Sequence, residues 1–146
     1  MKLGKYFTLA ELTQSATAKA KGIDNTPSPA EIARLRDLVE NTLDPLREAL
    51  GKPIIVSNGF RNPTVNRLVG GVPTSQHQSG EAVDFTVPGM TPAAVIRVLI
   101  RMGIPFDQVI DEYGSWVHLS YRKERLRYVA LEYRKVQGRT VKKKFI

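Results

Sequence analysis

The chain has two histidines, His77 and His118, and both stand next to segments patterned as strands. Seven residues after His77 comes Asp84, inside "AVDFTV", where Ala82, Val83, Phe85 and Val87 call for apolar burial. A buried carboxylate without a partner is costly, so a residue placed this way implies one. Two imidazoles and a carboxylate are a standard three-ligand set for catalytic zinc, with a fourth position left for water. Strand histidines also serve as hydrogen-bonded packing residues, and residue type alone leaves both readings open.

The elements that must position these groups follow from periodicity and punctuation. "AVDFTV" reads as a strand, with His77 leading into the strand that carries Asp84. In "SWVHLSY" alternation puts Trp116, His118 and Ser120 on one face. "FDQVIDEYGSWVHLSY" gives two strands joined near Tyr113–Gly114, and "KPIIVS" gives another. "FTLAEL" predicts a short helix capped by Thr8. Ser28, Pro29 and Glu31 mark the start of a longer helix whose apolar stripe is Ile32, Leu35, Val39, Leu43 and Leu46; Pro45 should kink or restart it. A short helix is expected after Pro63. Thr91, Pro92 and Gly103 bound another, and a last pair of basic strands turns at Gln137–Gly138. Helices and strands mixed in this order predict an α+β single domain, 1–146, with a mostly antiparallel sheet and flanking helices.

Composition narrows the chemistry. A chain of 146 residues can bury roughly 70% of its unfolded surface. The absence of cysteine excludes disulfides, thiolate zinc sites and cysteine nucleophiles. "MKLGKYFTLAELTQ" has no apolar signal-peptide core, and no transmembrane segment is expected, which predicts synthesis in the cytoplasm. The net charge of +8 is concentrated at one end. Residues 1–120 carry 12 Lys/Arg and 12 Asp/Glu, whereas residues 121–146 carry 10 Lys/Arg against Glu124 and Glu132. That basic segment is either a solvated end or an attraction for a polyanion such as nucleic acid, anionic wall polymer or a membrane surface.

Ser75, His77, Gly80, Ala82 and Asp84 spell S-x-H-x-x-G-x-A-x-D. This resembles the signature of the zinc D-Ala-D-Ala peptidases, a family of D-alanyl-D-alanine carboxypeptidases, D,D-dipeptidases and phage L-alanyl-D-glutamate endolysins whose zinc fold also underlies the hedgehog signalling domain. Trp116 and His118 resemble its second signature, a W-x-H strand with an acid upstream. Gly59, Phe60, Arg61 and Pro63 match its G-F-R-x-P context. The likeness spans residues 54–120 in the family's order and does not reach the basic segment.

The resemblance implies a hedgehog/D,D-peptidase-like fold and a zinc ion (Zn2+) on His77, Asp84 and His118. It implies a carboxylate base, which many members place three residues before the second histidine. Here that position is Ser115, a departure. Other members place a glutamate six residues before, which is Glu112, with Asp111 as rival. Strand phase sets the two acids on opposite faces, so only one can point at the metal, and both could instead belong to an ordinary solvated turn. Arg61 would hold a substrate carbonyl or terminal carboxylate through its planar fork, and Ser75 would orient the substrate. Gly70, Gly71 and Gly80 read as turn geometry.

The function these implications describe is hydrolysis of a peptide bond in bacterial cell-wall stem peptides, by a D-Ala-D-Ala carboxypeptidase or an L-Ala-D-Glu endopeptidase of the endolysin type. Without a signal peptide, such an enzyme would reach the wall as phage lysins do, released by a separate permeabilising factor. The alternative is a non-catalytic zinc-containing binding domain of the same fold, which the Ser115 departure keeps open. A nucleic-acid binder would rest on the basic segment alone, with no aromatic RNA motif or helix-turn-helix behind it.

Overall fold

Capping residues start the helices where their chemistry places them in the computed structural model, which describes residues 1–145. Strands β1 (Lys2–Leu3) and β2 (Phe7–Thr8) make a small ribbon. Thr8 then caps α1 (Leu9–Thr13) in a capping box with Glu11. A second short helix, α2 (Ala16–Lys21), begins at Ser15 and ends at Gly22; the sequence reading had no helix there.

Ser28 and Glu31 form the expected capping box of α3 (Pro29–Leu38). The chain does not break at Pro45. It passes through a π-helical stretch, Val39–Leu43, and re-enters α4 (Asp44–Leu50). Proline lacks an N–H and its ring crowds the carbonyl four residues back, so a locally wider turn absorbs it. The buried Asp44 at the start of α4 accepts from the backbone amides of Lys5 and Tyr6 at 2.6 and 3.2 Å, which fixes the ribbon against this bend.

The remaining elements are β3 (Ile55–Asn58), α5 (Pro63–Leu68), a 3-10 turn (Gln76–Ser79), β4 (Ala82–Thr86), α6 (Pro92–Arg101), β5 (Gln108–Glu112), β6 (Trp116–Ser120), β7 (Val129–Val136) and β8 (Arg139–Lys144). Strand β3 starts three residues later than "KPIIVS" implied. His77 does not lead directly into the strand of Asp84 but sits in the 3-10 turn before it. Gly80, at φ 77°, ends that turn, and a Cβ there would meet the Glu31 carbonyl at 2.7 Å.

The strands form one six-stranded sheet in the order β3-β4-β6-β5-β7-β8. All neighbours are antiparallel except β5 and β7, which are parallel. That exception arises because the segment between β6 and β7 crosses the start of β5. One sheet face, with Val83, Phe85, Val109, Val117 and Leu119, is buried in a core that includes Leu35, Leu38, Leu46, Ile96 and Leu99 of the helices. The other face carries Asp84, His118, Ile110 and Glu112, brought into line by the pairings Asp84↔His118↔Ile110.

The basic segment is therefore sheet rather than free tail. Its hairpin turns through Gln137 and Gly138, both at positive φ. Strand β8 is exposed, Phe145 packs against the core, and Ile146 lies outside the described residues. Among the described residues no helix is long and apolar enough to cross a membrane.

Candidate metal centre

Three elements converge on one point. The 3-10 turn delivers His77, β4 delivers Asp84 and β6 delivers His118. Asp84 Oδ1 lies 2.9 Å from His118 Nδ1 and 3.3 Å from His77 Nε2, and the two rings meet edge-on with centroids 5.2 Å apart. His77 and Asp84 are buried and His118 nearly so.

The stretch Gly59–Arg61 fixes the orientation of His77. His77 Nδ1 is 2.7 Å from the Gly59 carbonyl, and the Arg61 amide donates to the His77 carbonyl at 3.1 Å. A carbonyl only accepts, so Nδ1 carries the proton and a neutral ring turns the Nε2 lone pair toward Asp84. Two acceptors then face each other across 3.3 Å. Only a proton or a metal cation between them makes that arrangement favourable.

The donor set fits a metal. One ligand atom from each of His77, Asp84 and His118 lies within 4.8 Å of the others. Zinc bonds of ~2.0–2.2 Å in a tetrahedron set neighbouring donors about 3.4 Å apart, against 3.3 and 2.9 Å from Asp84 Oδ1 to His77 Nε2 and His118 Nδ1. The Gly59 carbonyl behind His77 is the outer-sphere acceptor that metal-binding imidazoles require. Burial pushes the Asp84 carboxyl up, but the imidazoles of His118 and His77 outweigh burial and hold it well below the ordinary carboxylate range. Asp84 is thus ionised at neutral pH.

Two clefts meet at this cluster and share Val72, Ser75, Glu112 and His118. One, of about 450 Å³, also holds Arg61, His77 and Asp84. The Arg61 Nε is buried and has no hydrogen-bond partner among the described residues. Burial draws its guanidinium down while Asp84 opposes that shift. A fork left unpaired beside a cation site is available to a carbonyl or carboxylate. Ser75 lines both clefts, and its Oγ accepts from the His77 amide at 3.2 Å, so the hydroxyl caps the turn and keeps a proton to donate.

The two candidate acids separate as strand phase predicts. Glu112 faces the shared wall, and burial raises its carboxyl above the ordinary range, with His118 opposing. Asp111 points to the opposite face, fully buried, where Arg134 grips it with two bonds of 3.1 and 2.9 Å. Ser115 lies exposed in the turn, its hydroxyl directed to the Tyr113 carbonyl at 3.4 Å. A further set escaped the sequence reading. The fully buried Asp107 accepts from Arg127 Nε at 2.7 Å, Arg127 Nη2 at 3.0 Å and Gln76 Nε2 at 3.0 Å.

The family described as Peptidase M15 has a model that matches residues 5–120, well over half of the chain and all three metal donors. No curated protein matches the chain.

Proposed function

This chain belongs to the peptidase M15 family, the zinc D-Ala-D-Ala carboxypeptidase and endolysin family, and on that premise we propose that it hydrolyses a peptide bond in bacterial cell-wall stem peptides. The observation that carries the proposal is the His77–Asp84–His118 cluster with Glu112 on the same sheet face, at the junction of two open clefts. Zinc bound there would polarise the scissile carbonyl and lower the pKa of water toward ~7.

His77, Asp84 and His118 would hold the ion. Glu112 accepts a proton from the attacking water and returns it to the leaving nitrogen. Water's oxygen thus joins the carbonyl carbon, the C–N bond breaks, and an acid and an amine leave. Its raised carboxyl suits both halves of this exchange, because a base too weak to take the proton or too strong to return it would stall one of them. Arg61 receives the carbonyl oxygen or the terminal carboxylate, and the Ser75 hydroxyl orients the peptide.

Purified wall digested with zinc-loaded protein, with fragments identified by mass spectrometry, tests the reading and names the bond. New amino termini within the stem support an endopeptidase, and release of free D-alanine supports a carboxypeptidase. Full zinc content with intact wall and intact synthetic stem peptides would favour a non-catalytic zinc domain, the reading that Ser115 supports by standing where many relatives have an acid.

A further inference from the structure

Sheet register carries the metal-site face outward, past the end of the family match. Glu112 lies opposite Trp116 on β6 and Tyr133 on β7, and Tyr133 lies opposite Lys142 on β8. Laterally paired residues project from the same face, so these four form a row leading away from the metal donors. Lys142 Nζ sits 4.9 Å over the Tyr133 ring, which holds the ammonium toward the cleft.

The second cleft, of about 520 Å³, opens along that row and is lined by Glu112, His118, Arg125, Arg127, Tyr133 and Lys142. Its far end has more cations than anions. Arg125 and Arg127 share a single carboxylate, Asp107, with the Arg125 contact the longer at 3.4 Å. Lys142 has no salt-bridge partner among the described residues. Arg125, Arg127, Tyr133 and Lys142 all lie beyond residue 120, where the family match ends.

We infer that this cleft is a carboxylate-binding subsite for the peptide substrate, in which Lys142 and Arg125 receive an acidic side chain or a free C-terminus on the far side of Glu112 and His118 from Arg61. The inference rests on the peptidase reading. The cations line a walled cleft that opens directly onto His118 and Glu112, which suits one carboxylate on a short peptide better than a long polyanion. Binding there would align the peptide across the metal donors, with Arg61 holding the other end.

The test uses a synthetic stem pentapeptide in forms that separate the two sources of charge: acidic side chain as carboxylate or carboxamide, and C-terminus free or amidated. Zinc-loaded wild type should favour one carboxylate form about fivefold in kcat/KM, the scale of two partly exposed ion pairs. Lys142→Gln and Arg125→Gln should each reduce that ratio, and the double variant should bring it close to one. Both side chains are solvent-accessible and Arg127 still holds Asp107, so thermal melts should match wild type. A wild-type ratio of one for both carboxylates, or a ratio unchanged in the double variant, overturns the subsite. If wild type cleaves no form, the peptidase reading fails separately. Calorimetric binding of the same peptides then decides the subsite, with carboxylate preference lost in the double variant supporting it and preference absent or unchanged overturning it. Tight binding of anionic wall polymer at this cleft, competing with the peptide while carboxylate preference is absent, would assign the cations to a polymer instead.

Discussion

The Gln76 side-chain amide donates to Asp107 Oδ2 at 3.0 Å, and this bond ties the turn carrying His77 to a carboxylate that Arg127 also holds. Residue 127 lies outside the matched family region, yet it supports the loop that presents a metal donor. Burial pushes the Asp107 carboxyl up, but Arg127 and Gln76 more than offset it and leave the carboxyl below its ordinary value.

Arg127→Ala should therefore cost about 1–3 kcal/mol, because it removes the main charged donor of a buried carboxylate that Arg125 and Gln76 still contact. Gln76→Ala should cost nearer 1 kcal/mol. The pH dependence has a definite sign. A depressed carboxyl stabilises the fold above its unfolded value of ~3.9, and that contribution fades as pH falls through the folded value. The gap in urea midpoint between wild type and Arg127→Ala should be widest near neutrality and shrink below about pH 4. A gap independent of pH would assign the loss to packing instead of the ion pair.

His77→Ala and His118→Ala should each lose bound zinc, read by elemental analysis after removal of loosely held metal. Gly59→Ala supplies a subtler case. A Cβ at Gly59 would collide with the Leu12 backbone carbonyl, so the chain must shift and carry its own carbonyl away from His77 Nδ1. Loss of an outer-sphere partner weakens metal binding roughly 10–100-fold. Competition with a chelator of known affinity checks this, and unchanged affinity would show that His77 is oriented by other contacts.

Glu112→Gln should keep zinc and lose roughly 10²–10⁴-fold in rate, the usual worth of a general acid–base. Asp111→Ala should behave differently, since its carboxylate engages Arg134 and the Gly114 amide on the far side of the sheet. It should lower the melting temperature and leave the rate per folded molecule within a few-fold. Reversal of these two phenotypes would mean that β5 presents the wrong acid to the cleft.

The candidate site was legible in part through local rules and in part through the family signatures around His77, Asp84 and His118. Alternation in "DEYGSWVHLS" orients Glu112 and His118 whatever the sheet order, and Asp84 was conspicuous as a charge among apolar neighbours. Capping residues likewise placed α1, α3 and α6 to within a residue or two. The two-residue turn at Gln137–Gly138 sets Val136 opposite Arg139 and hence Tyr133 opposite Lys142, which hairpin rules could have supplied. That β7 then lies parallel to β5 depends on a crossover without local sequence signal. Asp107 had no visible partner for the same reason, because Arg127 is brought to it only by that crossover. The π-helical stretch before Pro45 was hidden too, since apolar periodicity does not distinguish a widened turn from a kink.

The basic segment supports a last prediction. Half of its ten cations have salt-bridge partners: Arg125 and Arg127 with Asp107, Arg134 with Asp111, Lys143 with Glu132, and Arg122 with Glu81 and Glu124. Of the other five, Lys135 and Lys142 lie over the Tyr113 and Tyr133 rings, while Lys123, Arg139 and Lys144 are exposed, and none of the five has a salt-bridge partner among the described residues. Attraction to an anionic wall should therefore come from these free cations and not from the whole excess. A Lys123→Glu, Arg139→Glu, Lys144→Glu variant should bind purified wall several-fold more weakly in dilute buffer. At physiological ionic strength the Debye length is ~8 Å, and added salt should erase the difference. Cleavage of a small neutral peptide should be unaffected, because screened surface charges act on encounter with a large polyanion and not on bond breaking. Truncation after Val136 is the wrong experiment for this question. It would bare the edge of β7 and remove Phe145 from the core, so the truncated chain should melt several degrees lower and stick to surfaces through its open strand. Undiminished wall binding by the triple variant in dilute buffer would show that these charges only solubilise the hairpin.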